Sequence, residues 1–146
     1  MRKAMPARIL IVEDDPMNAK LFELLLTRRG GYGVQVTEDP AHLAAEIRAE
    51  RVDLVIMDVS LSNSRMDGVP VDGLAITRRL KTDPSTRHVP ILLATAHAMK
   101  GSREKFLRES GADDYISKPI VSADELIQRI EALLARRSHV APPAAG

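Results

Sequence analysis

An α/β fold, with a parallel five-stranded sheet between two layers of helices, is predicted by three features of this sequence. Short apolar runs of strand type alternate five times with helical stretches. Three of those runs, RILIV, DLVIM and VPILLA, are almost continuously apolar, as strands buried on both faces of a parallel sheet are. The connections are short, which implies right-handed crossovers from each strand through a helix to the next.

The first strand is expected over Arg8–Val12, and Asp15 followed by Pro16 marks the start of the first helix. The aspartate caps free backbone amides, and a first-turn proline lacks only a donor that the helix would not use. Met17, Leu21, Leu24 and Leu25 are expected to share the buried face of that helix. Gly33–Thr37 reads as the second strand, and Asp39–Pro40 repeats the start signal ahead of Leu43 and Ile47. Asp53–Met57 reads as the third strand. Asp72 caps a third helix that runs to Lys81 and is stopped by Asp83–Pro84.

Val89–Ala94 is the fourth strand, and a mostly polar fourth helix, Ser102–Ser110, ends at Gly111. Asp113–Ile116 is the fifth strand. Ser122 and Glu125 form a capping box for the fifth helix, whose Leu126, Ile130, Leu133 and Leu134 lie on one stripe. Residues 1–7 read as an N-terminal extension, 8–137 as one domain and 138–146 as a disordered tail. For five such units the favoured arrangement is the flavodoxin-like three-layer sandwich, with strand order 2-1-3-4-5.

Composition narrows the function classes. A chain of 146 residues can bury a core without staples, and the absence of cysteine excludes disulfides, zinc–thiolate sites and cysteine nucleophiles. Net charge is +1 with both signs mixed, and aromatics make up 3%, so neither a basic face nor a base-stacking platform for nucleic acid is expected. His42, His88, His97 and His139 never fall at metal-ligand spacing, and His97 is expected in an exposed loop. No apolar run approaches the ~20 residues of a membrane span. No apolar stretch follows the basic N-terminus either, so a cytoplasmic location is expected.

In open α/β sheets, ligands bind beyond the carboxyl ends of the strands, where the strand order reverses. Glu13, Asp14 and Asp15 follow the first strand here, Asp58 the third, Thr95 the fourth, and Lys118–Pro119 the fifth. The first and third strands are neighbours in the expected order, so Glu13, Asp14 and Asp58 should converge. Two carboxylates about 5 Å apart repel by roughly 3 kcal/mol at an effective dielectric of about 20. Either protons or a cation must sit among them. An all-oxygen cluster without His or Cys favours a hard ion, and Mg²⁺ fits because it keeps waters and binds through one or two carboxylates plus phosphate. The Thr95 hydroxyl and Lys118 ammonium can receive two phosphate oxygens, and a carboxylate can itself accept a phosphoryl group.

Taken singly, each residue has a plainer reading. Asp15 is a cap, Thr95 a β-branched strand residue, and Lys118 a solvated charge. Their coincidence at matching strand ends carries the argument.

The segments ILIVEDD, DLVIMD, ILLATA and YISKP resemble, in order, the four signature segments of the response-regulator receiver family. The likeness runs from Arg8 to Arg137. VEDDPMNAKLF and TAHAMKG…ISKPI are similar to single-domain division-control regulators within it. The resemblance implies that Asp58 is the phosphoacceptor, with Asp14 ligating Mg²⁺ directly and Glu13 acting through a bound water. The backbone carbonyl of Ser60 would complete the protein's ligands. Thr95 and Lys118 would contact phosphoryl oxygens, Tyr115 would rotate with Thr95 as the switch, and Lys118–Pro119 would be cis.

The resemblance also implies partners. A sensor histidine kinase or a phosphotransfer protein would be the donor, and a downstream protein would dock on the face made by the fourth helix, fifth strand and fifth helix. The chain would be a monomer or weak dimer and would not be an enzyme beyond its own phosphorylation and dephosphorylation. The positions of Ser60 and His97 would influence how water reaches the acyl phosphate. The rival reading is an aspartyl-phosphate hydrolase of the haloacid-dehalogenase kind, which resembles an Asp-x-Asp arrangement, whereas Ser60 stands two residues past Asp58 here. No organic cofactor is expected.

One departure stands out. The family's short loop after the phosphoacceptor carries a Pro and then a Gly, but Leu61–Gly73 (LSNSRMDGVPVDG) is longer by about seven residues, a length that loop entropy tolerates. Gly68 and Gly73 both compete for the family's glycine position. A tolerated surface insertion is the expectation, with a partner contact or a flap over the site as the other reading.

Overall fold

The computed structural model describes residues 6–96 and 101–139. Its main sheet is parallel and built from β1 (Arg8–Val12), β2 (Gly33–Thr37), β3 (Leu54–Asp58), β6 (Ile91–Thr95) and β7 (Asp114–Ser117). The order is β2-β1-β3-β6-β7, which is the 2-1-3-4-5 arrangement once a separate two-stranded hairpin, β4 (Arg65–Met66) and β5 (Val69–Pro70), is set aside. The third, fourth and fifth strands of this sheet start one or two residues later than the apolar runs suggest. Asp58 and Thr95 are thereby the last residues of β3 and β6.

Alternation along each strand divides the core in two. Leu10, Val12, Val55, Met57, Ile91, Leu93 and Tyr115 face one side. There they meet α2 (Pro40–Arg48) through Leu43 and Ile47, and α3 (Gly73–Thr82) through Ile76 and Leu80. Phe106 and Leu107 of α4 (Ser102–Ser110) complete that layer. Ile9, Ile11, Leu54, Ile56, Leu92, Ala94 and Ile116 face the other side. They are covered by Phe22 and Leu26 of α1 (Pro16–Arg28) and by Leu126, Ile130 and Leu133 of α5 (Ala123–His139).

The helix starts are those that the capping residues specify. Asp15 accepts from Met17 N at 2.9 Å, Asp39 from Ala41 N at 3.0 Å, and Asp72 from Ala75 N at 2.9 Å. Ser122 Oγ accepts from Glu125 N at 3.1 Å, while the Glu125 side chain is engaged by Arg129 Nε at 3.2 Å. Gly111 closes α4 with φ 78°, a left-handed conformation that glycine adopts without strain. Lys118–Pro119 is cis.

Two expectations need correction. The inward face of α1 is Ala19, Phe22 and Leu26, whereas Met17 is 83% and Leu21 43% exposed. Seven apolar side chains after Pro16 in that helix offer two overlapping stripes, and the ring of Phe22 wins the core. Helix α5 also continues two residues past Arg137, to His139. The rest of the tail expected to be disordered, and His97, lie outside the described residues.

Leu61–Gly73 folds as a structured insertion. Its Asp67–Gly68 tip has φ 53° and 78°, the left-handed pair that a two-residue hairpin turn demands. Ser64 Oγ donates to the Glu38 carbonyl at 2.7 Å, Leu61 is buried, and Met66 and Val71 pack against the α2–α3 side of the core. The glycine register is thereby settled. Gly68 belongs to the turn, while Gly73 opens α3 and donates its N–H to the Val59 carbonyl at 3.1 Å.

Candidate functional site

The site lies where the strand order reverses, at the carboxyl ends of β1, β3, β6 and β7. Parity explains which side chains meet. Glu13 continues the alternation of Ile9 and Ile11, Asp58 that of Leu54 and Ile56, and Lys118 that of Ile116. All three therefore emerge on the α1–α5 side. Thr95 falls with Leu93 and Tyr115 on the opposite side.

One carboxylate oxygen each from Glu13, Asp14 and Asp58 lies within 4.8 Å of the others. Lys118 Nζ donates to Asp58 Oδ1 and to Glu13 Oε1, both at 3.1 Å. Glu13 and Asp58 are 4% and 5% exposed, so these pairs sit in a setting of reduced dielectric. Burial alone would push the Lys118 ammonium down, but the two carboxylates beside it hold it above its ordinary value. Ser60 N donates to Asp58 Oδ1 at 3.2 Å, so the residue two past Asp58 turns back on it. Thr95 is fully buried, and its carbonyl accepts from Lys118 N at 2.7 Å, tying the ends of β6 and β7 together. Tyr115 is also buried, with its ring 6.3 Å from that of Phe106. The expected gathering of Glu13, Asp14, Asp58 and Lys118 is what the structure contains.

The donor set suits a hard cation. Three carboxylates against one ammonium leave a surplus of negative charge, and all available ligand atoms are oxygens. Glu13 Oε2 is buried without a hydrogen-bond partner, so an acceptor is left over where a metal-bound water can donate. Asp14 needs no such help to stay ionised. Burial raises its pKa, but hydrogen bonds from Ser62 and the Asn63 backbone outweigh that and hold the carboxyl below its ordinary value.

Ser62 is the residue that sequence reasoning missed. Its amide and its hydroxyl both donate to Asp14 Oδ2, at 2.7 and 2.8 Å. Nothing in a Ser-Asn-Ser stretch inside an insertion signals that contact. Asp15, by contrast, is the cap its Pro16 neighbour implies.

Glu13 supplies a pH prediction. Burial first, and the Asp58 carboxylate next, push its pKa from 4.5 up to about 7, with Lys118 pulling the other way. The folded chain thus keeps a proton that the unfolded chain releases. The stabilisation from this group is complete below about pH 4.5 and is lost as pH rises through about 7. In chelator, the urea midpoint should fall across that window, and Glu13→Gln should flatten the fall. An identical slope in the variant would show that Glu13 does not titrate there.

The face made by α4, β7 and α5 carries a groove of about 320 Å³ that includes Arg103, Tyr115, Val121 and Arg129. Asp114 at its edge accepts from Arg103 Nη2 and twice from Arg129 Nη1, each at 3.0 Å. No helix among the described residues is long and apolar enough to cross a membrane.

Comparison with known proteins agrees with this geometry. The family model described as response regulator receiver domain matches residues 9–131. The polar-differentiation response regulator DivK of Brucella anthropi is 38% identical over 130 residues, covering 89% of this chain and 98% of that protein. A solved receiver domain of a sensor histidine kinase from Pseudomonas aeruginosa PAO1, with a magnesium ion coordinated in its active site cleft, is 32% identical with a TM-score of 0.73. That alignment covers 89% of this chain and 98% of the other. A CheY-like receiver domain protein from Methanospirillum hungatei is 25% identical with a TM-score of 0.70, covering 91% and 97% of the two chains.

Proposed function

This chain belongs to the response regulator receiver family, and from that membership we propose that it is a phosphorylation-driven switch whose phosphoacceptor is Asp58. The observation that carries the proposal is Lys118 Nζ held 3.1 Å from an Asp58 carboxylate, with one oxygen each from Asp58, Glu13 and Asp14 within 4.8 Å of one another. The donor of the phosphoryl group is a sensor histidine kinase or a histidine phosphotransfer protein.

Asp14 and Asp58, with Glu13 through water and the Ser60 carbonyl, would hold Mg²⁺. Bound there, the ion supplies charge neutralisation to phosphoryl oxygens. The chain's own residues do the rest. Asp58 Oδ attacks phosphorus, and the bond from phosphorus to the donor's nitrogen breaks, leaving the electron pair on the donor. Lys118 loses its hold on the free carboxylate and pairs instead with a phosphoryl oxygen. Thr95 donates its hydroxyl to another. Drawing Thr95 toward the site changes the space beside it on the sheet face it shares with Tyr115, and the Tyr115 ring, already buried against Phe106, repacks to follow it. The surface of α4, β7 and α5 then presents a different shape to its protein target, a shift of population between two states.

In this reading the protein acts in the cytoplasm through protein–protein contact. It is no enzyme in the usual sense, since its only chemistry is on itself.

The test is treatment with acetyl phosphate, and separately with histidine kinases, in Mg²⁺ and in chelator. One acid-labile phosphoryl group per chain is expected with Mg²⁺, and turnover of phosphate monoesters should be absent. Repeated turnover without accumulation of label would instead favour a hydrolase. Lys118→Ala should leave Mg²⁺ binding largely intact and lower the yield of phosphorylated protein. A normal yield in that variant would remove Lys118 from its assigned contact.

A further inference from the structure

The contact between Ser62 and Asp14 joins an insertion to the acidic cluster, and it is built in two prongs. One residue supplies both a backbone N–H and a hydroxyl to a single carboxylate oxygen, Asp14 Oδ2, at 2.7 and 2.8 Å. The segment that carries Ser62 is itself held down. Leu61 is buried on one side of it, and two residues further on the Ser64 hydroxyl is bonded to the Glu38 carbonyl. Beyond that, the Ser64 carbonyl accepts from Val71 N at 3.0 Å and closes the base of the hairpin. A donor pair mounted on an anchored loop restricts the rotation of the carboxylate it grips.

We propose that Ser62 is a positioning residue for the metal ion, fixing Asp14 through Oδ2 so that Oδ1 is presented toward Asp58 and Glu13. This rests on the reading of Asp14 as an Mg²⁺ ligand. Three carboxylates with one ammonium among them repel, and an unrestrained Asp14 at the partly exposed edge of the cluster would swing toward water. Two hydrogen bonds to Oδ2 oppose that motion. Partners that orient a ligating side chain in this way are commonly worth about 10–100-fold in metal affinity. The insertion thus contributes to the site without supplying a ligand side chain.

The test is calorimetric titration of the full chain with Mg²⁺ alone, comparing wild type with Ser62→Ala, Ser62→Thr and Asp14→Ala. Ser62→Ala should weaken binding about 10-fold, at the low end of that range because the amide prong remains. Ser62→Thr keeps the hydroxyl and should bind like wild type. Metal-free, Ser62→Thr should melt with wild type and Ser62→Ala only a few degrees below it, roughly the loss of one exposed hydrogen bond, which separates positioning from a general loss of stability. Wild-type affinity in Ser62→Ala, tighter binding in that variant, or equal weakening in Ser62→Thr would each overturn the proposal. Mg²⁺ binding that survives Asp14→Ala, or is missing from wild type, would overturn the underlying metal reading and the positioning role with it.

Discussion

Asp58→Asn is expected to reduce acid-labile, hydroxylamine-sensitive phosphorylation to background while leaving the fold intact. The amide has the shape of the carboxylate but not its nucleophilic oxygen, so no acyl phosphate can form. The fold should hold because Asp58 ends a strand whose Leu54, Val55, Ile56 and Met57 are all buried, and none of these is disturbed. Lys118 keeps Glu13 as a partner at 3.1 Å, so no ammonium is stranded. Removing one negative charge also relieves Glu13, whose raised pKa owes part of its displacement to Asp58. Stability should therefore be equal to or above that of the parent near neutral pH. Mass spectrometry after acetyl phosphate treatment in Mg²⁺ reads the first outcome, and urea denaturation in chelator reads the second. Label persisting at one group per chain would disqualify Asp58.

Gly73→Ala should produce the largest loss of stability of any single methyl group added to this chain. A Cβ at that position would overlap the carbonyl oxygen of Asp58 and come within 2.8 Å of its carbon and 3.0 Å of Val59 Cα. These are backbone atoms at the end of a central strand, so they cannot swing aside as a flexible side chain would. Overpacking in such surroundings costs typically 1–3 kcal/mol and occasionally more, and a loss of about 3 kcal/mol is expected. Gly68→Ala is the control. No atom lies near its Cβ, and only the left-handed φ of 78° penalises it, by roughly 1 kcal/mol. Urea unfolding of both variants would check the difference. Equal stabilities would mean that α3 does not press on Asp58.

Those two glycines show where sequence reasoning reached its limit. Both stand in a thirteen-residue stretch, Leu61–Gly73, and the sequence leaves open which of them takes the helix-opening place. Asp67–Gly68 is a hairpin signal, but strands of two residues are too short for an alternating pattern to announce them. Elsewhere the strand ends were legible because physics ties them to composition. Strands buried on both faces must be apolar, so the first charged or hydroxylic residue after each one marks the site. Asp58, Thr95 and Glu13 follow their strands directly, Asp14 stands next to Glu13, and Lys118 lies two residues past the fifth strand. The rule could not find Ser62, whose importance lies in a backbone amide and in a contact with a residue forty-eight positions earlier. The inward face of α1 was misread for a related reason. Counting leucines weights every apolar side chain alike, whereas packing against the sheet favours the bulk of Phe22 over Met17.

The insertion is gripped most firmly near its two ends and only lightly at its tip. Ser62 holds the end of β1 through Asp14, and Gly73 holds the end of β3 through the Val59 carbonyl. Between them, Asp67, Gly68 and Val69 point into solvent, with one long ion pair from Arg79 to Asp67 at 3.4 Å. The apex is therefore a natural place to graft a fluorophore or an epitope. A label there would ride on the same loop whose root grips Asp14, while the two roots keep their hold on the strands.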